Sequence, residues 1–368
     1  MMDKKHGEKP MVQTIRPGEN LLEGVWCKMF LDDAQCAFGD TYTLYLKRGR
    51  SDHLAIMLSG GGLTWNTQTA AMPGFGATMR TLEDHFYLAD VEPWNDTRFF
   101  GREDYQGLLS CGEENLFSDW SVCVICYATG DCHLGNGDYT FLDKDGVERV
   151  LHHWGYRNFQ MALKQICGYF PQPKALLFCG QSAGASGIPA LAGEVIQRYI
   201  QCPNITVLAD SALLLREDWR DVMQHQWHTP THILNAVQGN DTVLDFFSSL
   251  CEQYGQRAKY LLSCGVQDHM LAKYQNFMDH ADFYATASAC AAFQQSLAKQ
   301  VKGLRSVYPP FGFYIHTFPQ DEEPCGDQHC TLMHPTFAHG KTDGVSPMQW
   351  LMDAVNGNVY SVGLSLLE

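Results

Sequence analysis

Ala175-Leu176-Leu177-Phe178-Cys179-Gly180-Gln181-Ser182-Ala183-Gly184 is the stretch on which the fold turns. Its first five residues are apolar and read as a buried strand. A G-x-S-x-G pattern follows at once, and residues 185–200 then carry the spacing of a helix. A serine on such a strand-to-helix turn needs small neighbours, because Gly180 and Gly184 leave room for a strained backbone and a closely packed helix. The turn exposes the hydroxyl, and the helix N-terminus sets positive potential beside any oxyanion that forms there. A plain Gly-Ser turn is the bland alternative. The strand before and the helix after make Ser182 a candidate nucleophile instead.

Outward from this turn, apolar runs alternate with helical periodicity. Residues 41–46, 54–58, 122–126, 205–209, 258–264 and 311–317 read as strands. Residues 152–170 and 348–355 read as helices. That alternation predicts an α/β fold with a mostly parallel sheet flanked by helices. With the serine turn in place, it predicts the α/β-hydrolase type. Residues 1–20 read as a polar tail and 21–368 as a single domain. Two stretches break the alternation: 66–118, rich in aromatics, Gly and Met, and 211–256, polar and helical. Both are expected to be lid or pocket insertions above the sheet.

Serine alone is a poor nucleophile at neutral pH and needs a histidine base oriented by a carboxylate. In this fold type the acid and then the histidine follow the serine along the chain. Asp210 and Asp268 both end a downstream strand. The acid belongs two strands beyond the nucleophile, which favours Asp268 and leaves Asp210 to hold loops or the pocket. His316, His329, His334 and His339 all lie near the end of the chain. His316 falls inside a strand and reads as a core residue, whereas Gly326-Asp327-Gln328-His329 is a loop beyond the last strand and favours His329. An oxyanion hole needs two converging N–H donors. Ala183 supplies one, and the Gly60-Gly61-Gly62 turn after an early strand supplies the other through Gly61 or Gly62.

Composition narrows the partners. The chain of 368 residues carries a net charge of −15, which argues against nucleic acid, since phosphate binding needs a basic surface. No run of about 18 apolar residues is present to span a membrane. The N-terminus has no apolar core of a signal peptide, and a cytoplasmic location is expected. The 14 cysteines are then expected to be reduced and mostly buried. Cys123 and Cys126 have C-x-x-C spacing but sit in a β-branched run, where residues three apart face opposite ways. Cys325, His329 and Cys330 lack a fourth ligand at a familiar spacing. No metal and no cofactor are expected. Of Trp65, Trp94, Trp120, Trp154 and Trp227, most are expected in the core, with Trp65 a pocket candidate.

The ordered set of motifs resembles the pectin acetylesterase family, which includes the Notum carboxylesterases, and looks closest to its bacterial branch. Leu58-Ser59-Gly60-Gly61-Gly62-Leu63-Thr64-Trp65 resembles the family's glycine-rich oxyanion segment, with Thr64 where Cys is frequent. Asn115-Leu116-Phe117-Ser118-Asp119-Trp120 and Cys126-Tyr127-Ala128-Thr129-Gly130-Asp131-Cys132-His133-Leu134-Gly135 resemble its central block. His153-Trp154-Gly155-Tyr156-Arg157-Asn158, Ala209-Asp210-Ser211 and Val266-Gln267-Asp268 fall where its later motifs lie. The resemblance implies cofactor-free hydrolysis of an O-acyl ester through Ser182, His329 and Asp268. Asp131 and His133 would then lie near the pocket. A carbohydrate or small-molecule ester with a short acyl group is the expected substrate. A long-chain esterase, thioesterase or acyltransferase is the alternative on the same scaffold, and a non-catalytic binding protein a more distant one.

Overall fold

In the computed structural model, residues 12–75, 85–91, 107–320 and 325–368 are described. The strands in chain order are β1 (Val12–Ile15), β2 (Trp26–Gln35), β3 (Thr41–Lys47), β4 (His53–Leu58), β5 (Pro73–Gly74), β6 (Tyr87–Leu88), β7 (Ser121–Ile125), β8 (Gly137–Leu142), β9 (Glu148–His153), β10 (Ala175–Gln181), β11 (Ile205–Asp210), β12 (Lys259–Gly265) and β13 (Gly312–His316). Nine of them form one sheet in the order β1-β2-β3-β7-β4-β10-β11-β12-β13. Only the β2–β3 and β3–β7 pairings in that sheet are antiparallel. The principal helices are α1 (Gly155–Tyr169), α2 (Ala183–Arg198), α3 (Thr242–Tyr254), α4 (His269–His280), α5 (Ala287–Val307) and α6 (Pro347–Val355). The fold is therefore mixed α/β, with a large, mostly parallel central sheet flanked by helices.

Burial follows from this layering. Every residue of β7, β10, β11 and β13 is buried, so both faces of the central strands are covered, as the unbroken apolar runs predict. Helix α2 packs on β4, β10 and β11, α6 on β11 and β13, and α1 on β2 and β7. Truncating a fully buried leucine such as Leu177 in β10 costs about 2–5 kcal/mol in a layer of this kind.

The chain leaves β4 towards β7 and leaves β10 towards β11, on opposite sides of the β4–β10 pair. A parallel sheet opens a crevice beyond the carboxyl ends of its strands at such a reversal. Leu58 is paired with Gly180, and Gln181 with Asp210, so β4, β10 and β11 all end at that crevice.

Two expectations change. The polar tail joins the fold by residue 12: β1 pairs in parallel with β2, Ile15 is buried, and Tyr169 Oη donates to the Glu19 carbonyl at 2.8 Å. Residues 1–11 of that tail lie outside the described residues. The helix read over 152–170 begins only at Gly155, because His152 and His153 end β9 of an antiparallel hairpin. The Asp143 carboxylate builds its turn by accepting the Asp145 and Val147 amides. The two stretches expected to be insertions carry elements of their own. Residues 66–118 include β5, β6 and a short helix (Thr67–Ala70), although 76–84 and 92–106 with Trp94 lie outside the described residues. Residues 211–256 include α3 and the turns Trp219–Asp221 and Val222–Gln226, and they reach the glycine turn through Trp227 Nε1, which donates to the Thr64 carbonyl at 2.8 Å.

Candidate active site

Ser182 follows the last residue of β10 and caps α2 with φ 54° and ψ −127°, a region that L residues avoid. The strain persists because neighbours fix the turn from both sides. The Ser182 amide donates to the Asp210 carbonyl at 2.9 Å, and its own carbonyl accepts from Ser186 at 3.1 Å. Gly180 and Gly184 are needed for proximity rather than flexibility. A Cβ on Gly180 would stand 2.8 Å from the Gly184 carbonyl carbon, and one on Gly184 would meet the Ser59 carbonyl at 2.7 Å. The hydroxyl makes no cap to its own helix, and the residue is partly exposed.

The glycine turn lies directly against this serine. A Cβ on Gly60 would sit 2.7 Å from Ser182 Cβ and 3.1 Å from the Ala183 nitrogen. Gly61 gives its carbonyl to Leu88, and Leu63 donates to Phe86, which leaves the Gly61 and Gly62 amides without a backbone acceptor among the described residues. The Ala183 amide, first in α2, is likewise free of a backbone acceptor there. Sequence reasoning named Gly61 and Gly62, whereas Gly60 is the residue that touches the serine turn. Gly60→Ala should therefore lower any Ser182-dependent activity at least about 100-fold, because a shift of about 1 Å in the turn misplaces both hydroxyl and donor. Steady-state kinetics beside a thermal melt checks this; unchanged activity would mean that the turn is not part of the site.

Asp268 and His329 meet across 61 positions of chain. Asp268 is fully buried and caps α4, with Oδ1 accepting the Met270 and Leu271 amides at 3.1 and 3.0 Å. His329 Nδ1 donates to Oδ1 and Oδ2 at 2.9 and 2.8 Å. Burial raises the Asp268 pKa, but the histidine charge and hydrogen bond outweigh it and hold the carboxyl below its usual value. Burial also works against the imidazolium of His329, and the Asp268 carboxylate overrides it, leaving that pKa raised well above 6.5. Side-chain exposure is 16% for His329 and 0% for Asp268, so the ring can be reached from the crevice while its acid cannot.

Asp210 joins the two halves. Its carbonyl takes the Ser182 amide, and its Oδ2 accepts the Thr331 and Leu332 amides at 2.7 and 2.8 Å. Next door, Ser211 Oγ accepts the Cys330 amide at 3.0 Å. One strand end thus positions the serine turn and the segment that follows His329. Among the described residues the structure holds no hydrogen bond between Ser182 Oγ and His329, and such bonds often tighten only when substrate binds.

The remaining candidates separate cleanly. His316 is a core residue, stacked on Phe318 at 4.4 Å; His339 is on the surface beside Glu114; His334 bonds Thr336. Asp131 and His133 do not line a pocket. Both are fully enclosed: Asp131 accepts from Thr129 Oγ1, His133 N and Gly155 N, and His133 Nε2 donates to the Ser59 carbonyl at 2.9 Å. Burial pushes Asp131 up to about 6 and His133 down to about 4. They brace the floor beneath the glycine turn. Trp65 is also enclosed, packed edge-on against Phe86 and Tyr274 at 5.5 and 6.3 Å. Trp120 and Trp227 are buried and Trp154 is half-buried.

Sequence reasoning missed Asp327. Its amide donates to the Gln267 carbonyl at 2.8 Å, its Oδ2 accepts the Gln267 amide at 2.7 Å, and its carbonyl accepts the His269 amide. These bonds stitch the histidine loop to the Asp268 turn. Cys123 and Cys126 are buried thiols. The Cys330 sulfur faces the Asp210 carbonyl and that of Cys325 faces Cys290, so they do not converge on one point. Among the described residues no group of three His, Cys, Asp or Glu side chains is arranged to hold a metal ion, and no helix is long and apolar enough to cross a membrane. A groove of about 810 Å³ between Tyr156, Glu194, His232 and Tyr254 lies on α2 away from Ser182. No family model and no curated protein matches this chain.

Proposed function

We propose that this chain is a serine carboxylester hydrolase of the α/β-hydrolase type, acting on an O-acyl ester with a short acyl group on a carbohydrate or small molecule. One observation carries the reading: a strained, partly exposed serine at the carboxyl end of a central strand shares Asp210 with a histidine segment whose imidazole is already held by a buried aspartate. A structural Ser-His-Asp set has no need of a strained backbone at the serine with a glycine turn packed against it. The motif resemblance to pectin acetylesterases falls on the same residues and supports the same chemistry.

In the proposed reaction, Ser182 Oγ rotates towards His329, gives it the proton and attacks the ester carbonyl. Asp268 holds the imidazole in the tautomer with hydrogen on Nδ1 and stabilises the imidazolium. The Ala183 amide and an amide of the glycine turn, Gly61 in the first place, receive the oxyanion. His329 protonates the departing alcohol, and an acyl-enzyme remains on Ser182. Water, deprotonated by His329, releases the carboxylic acid and restores the serine. Every atom comes from ester and water.

Hydrolysis of p-nitrophenyl esters from acetate to palmitate tests the class. The expected profile peaks at acetate or butyrate and falls by at least about tenfold by the long chains, a difference of roughly 1.4 kcal/mol in transition-state binding. A peak at long chains overturns the short-acyl assignment. Absence of hydrolysis across the series, together with no release of acetate from acetylated oligosaccharides, overturns the hydrolase reading itself.

A further inference from the structure

Cys290 and Cys325 are the one thiol pair in sulfur–sulfur contact among the described residues, with Sγ atoms 3.7 Å apart. Cys290 lies in the first turn of α5 and is fully buried, whereas Cys325 is partly exposed on the loop that carries His329. The thiols come from parts of the chain 35 positions apart and meet beside the segment stitched down by Asp327. Their separation is that of van der Waals contact, and a bond needs an approach of less than 2 Å. Cys325 Sγ also points at the Ala285 carbonyl, as Cys36 and Cys202 point at backbone carbonyls, and most of the remaining thiols are buried.

We propose that Cys290 and Cys325 form a disulfide, made by exchange with a low-molecular-weight disulfide, which clamps the histidine loop to α5. Exposure sets the order of events. The Cys325 thiolate attacks one sulfur of the small disulfide and expels the first small thiol, leaving a mixed disulfide on the surface-facing residue. The Cys290 thiolate then attacks the Cys325 sulfur and expels the second. Two protein thiols and one small disulfide become one protein disulfide and two small thiols. Burial raises the Cys290 thiol to about 12, with the Cys325 contact and the Asp327 and Asp268 charges adding to it, so the second step is the slow one and quickens as pH rises.

The cross-link closes a loop that includes β13 and joins the Asp268–His329 neighbourhood to a long helix. It therefore adds a covalent tie where Asp327 supplies only hydrogen bonds. The proposal goes beyond the hydrolytic reading and stands whatever ester the site accepts.

The test is incubation of the whole protein with oxidised glutathione, then thiol counting and peptide mapping after trypsin and cleavage before Asp327, which separates Cys325 from Cys330. The expected result is a fall from 14 free thiols to 12 and a Cys290–Cys325 linked peptide. The unfolding midpoint should rise by about 5 °C in the oxidised wild type. That rise should be absent in Cys290→Ser and Cys325→Ser, the second with its side chain partly in solvent and so the less disruptive change. A full complement of 14 thiols, a glutathione adduct that stays on Cys325, or a link to any other cysteine overturns the proposal. None of these outcomes depends on esterase activity, so its loss would weigh on the hydrolytic reading alone.

Discussion

Ser182→Ala is expected to cut kcat on the best ester by about 10⁶-fold, the scale set by removing the nucleophile from a working triad. The change deletes one oxygen and leaves the backbone problem as it stands. Alanine retains the Cβ that opposes φ 54°, the amide still reaches the Asp210 carbonyl, and α2 still starts at residue 183. The unfolding midpoint should consequently stay within a degree or two of the wild type. Activity within tenfold of the parent would place the nucleophile elsewhere. A burst of p-nitrophenol equal to one equivalent of enzyme, present in the wild type and lost in the variant, ties the effect to an acyl-enzyme rather than to binding.

Asp268→Asn should lower kcat by about 10⁴-fold and move the acidic limb of the pH profile to lower pH. The sign follows from the two shifts. His329 acts as a base only when neutral, so activity rises with pH through its folded pKa, which the carboxylate holds well above 6.5. Asparagine removes the charge that raises it, and the limb retreats towards or below 6.5 as burial gains the upper hand. The amide also offers N–H to Nδ1 and favours the wrong tautomer, which accounts for the loss in kcat. Asparagine is as good a helix cap as aspartate, so Met270 and Leu271 keep an acceptor and α4 keeps its start. Paired measurements of kcat/KM from pH 5 to 9 decide it. A limb that does not move shows that another group, and not His329, titrates.

The legible parts of this molecule were the local ones. An apolar run, a G-x-S-x-G and a helical period occupy adjacent positions at 175–200, and backbone sterics alone relate them. Strand order along the chain likewise sufficed to prefer Asp268 over Asp210 and His329 over His316. Contacts between distant positions were not legible. Nothing in one sequence pairs Asp327 with Gln267, or Trp227 with Thr64 across 163 positions. Residue type also misled where burial decides the role. Asp131 and His133 stood as pocket candidates, and they are enclosed and satisfied by Thr129, Gly155 and Ser59. Trp65 looked suited to a pocket and became packing for Phe86. The β8–β9 hairpin was missed because its strands are half polar and its turn is written in Asp and Gly between two longer apolar signals.

The double grip of Asp210 has a consequence for how this chain tolerates change. It holds the Ser182 amide with its carbonyl and, 121 positions later, the Thr331 amide with its carboxylate. The distance between the serine turn and the histidine segment is therefore gauged from one datum instead of accumulating along the intervening chain. Changes of length in exposed loops between β11 and residue 325 are not added to that distance, as long as β11 still ends in aspartate and the Asp268 turn and the Trp227–Thr64 contact are kept.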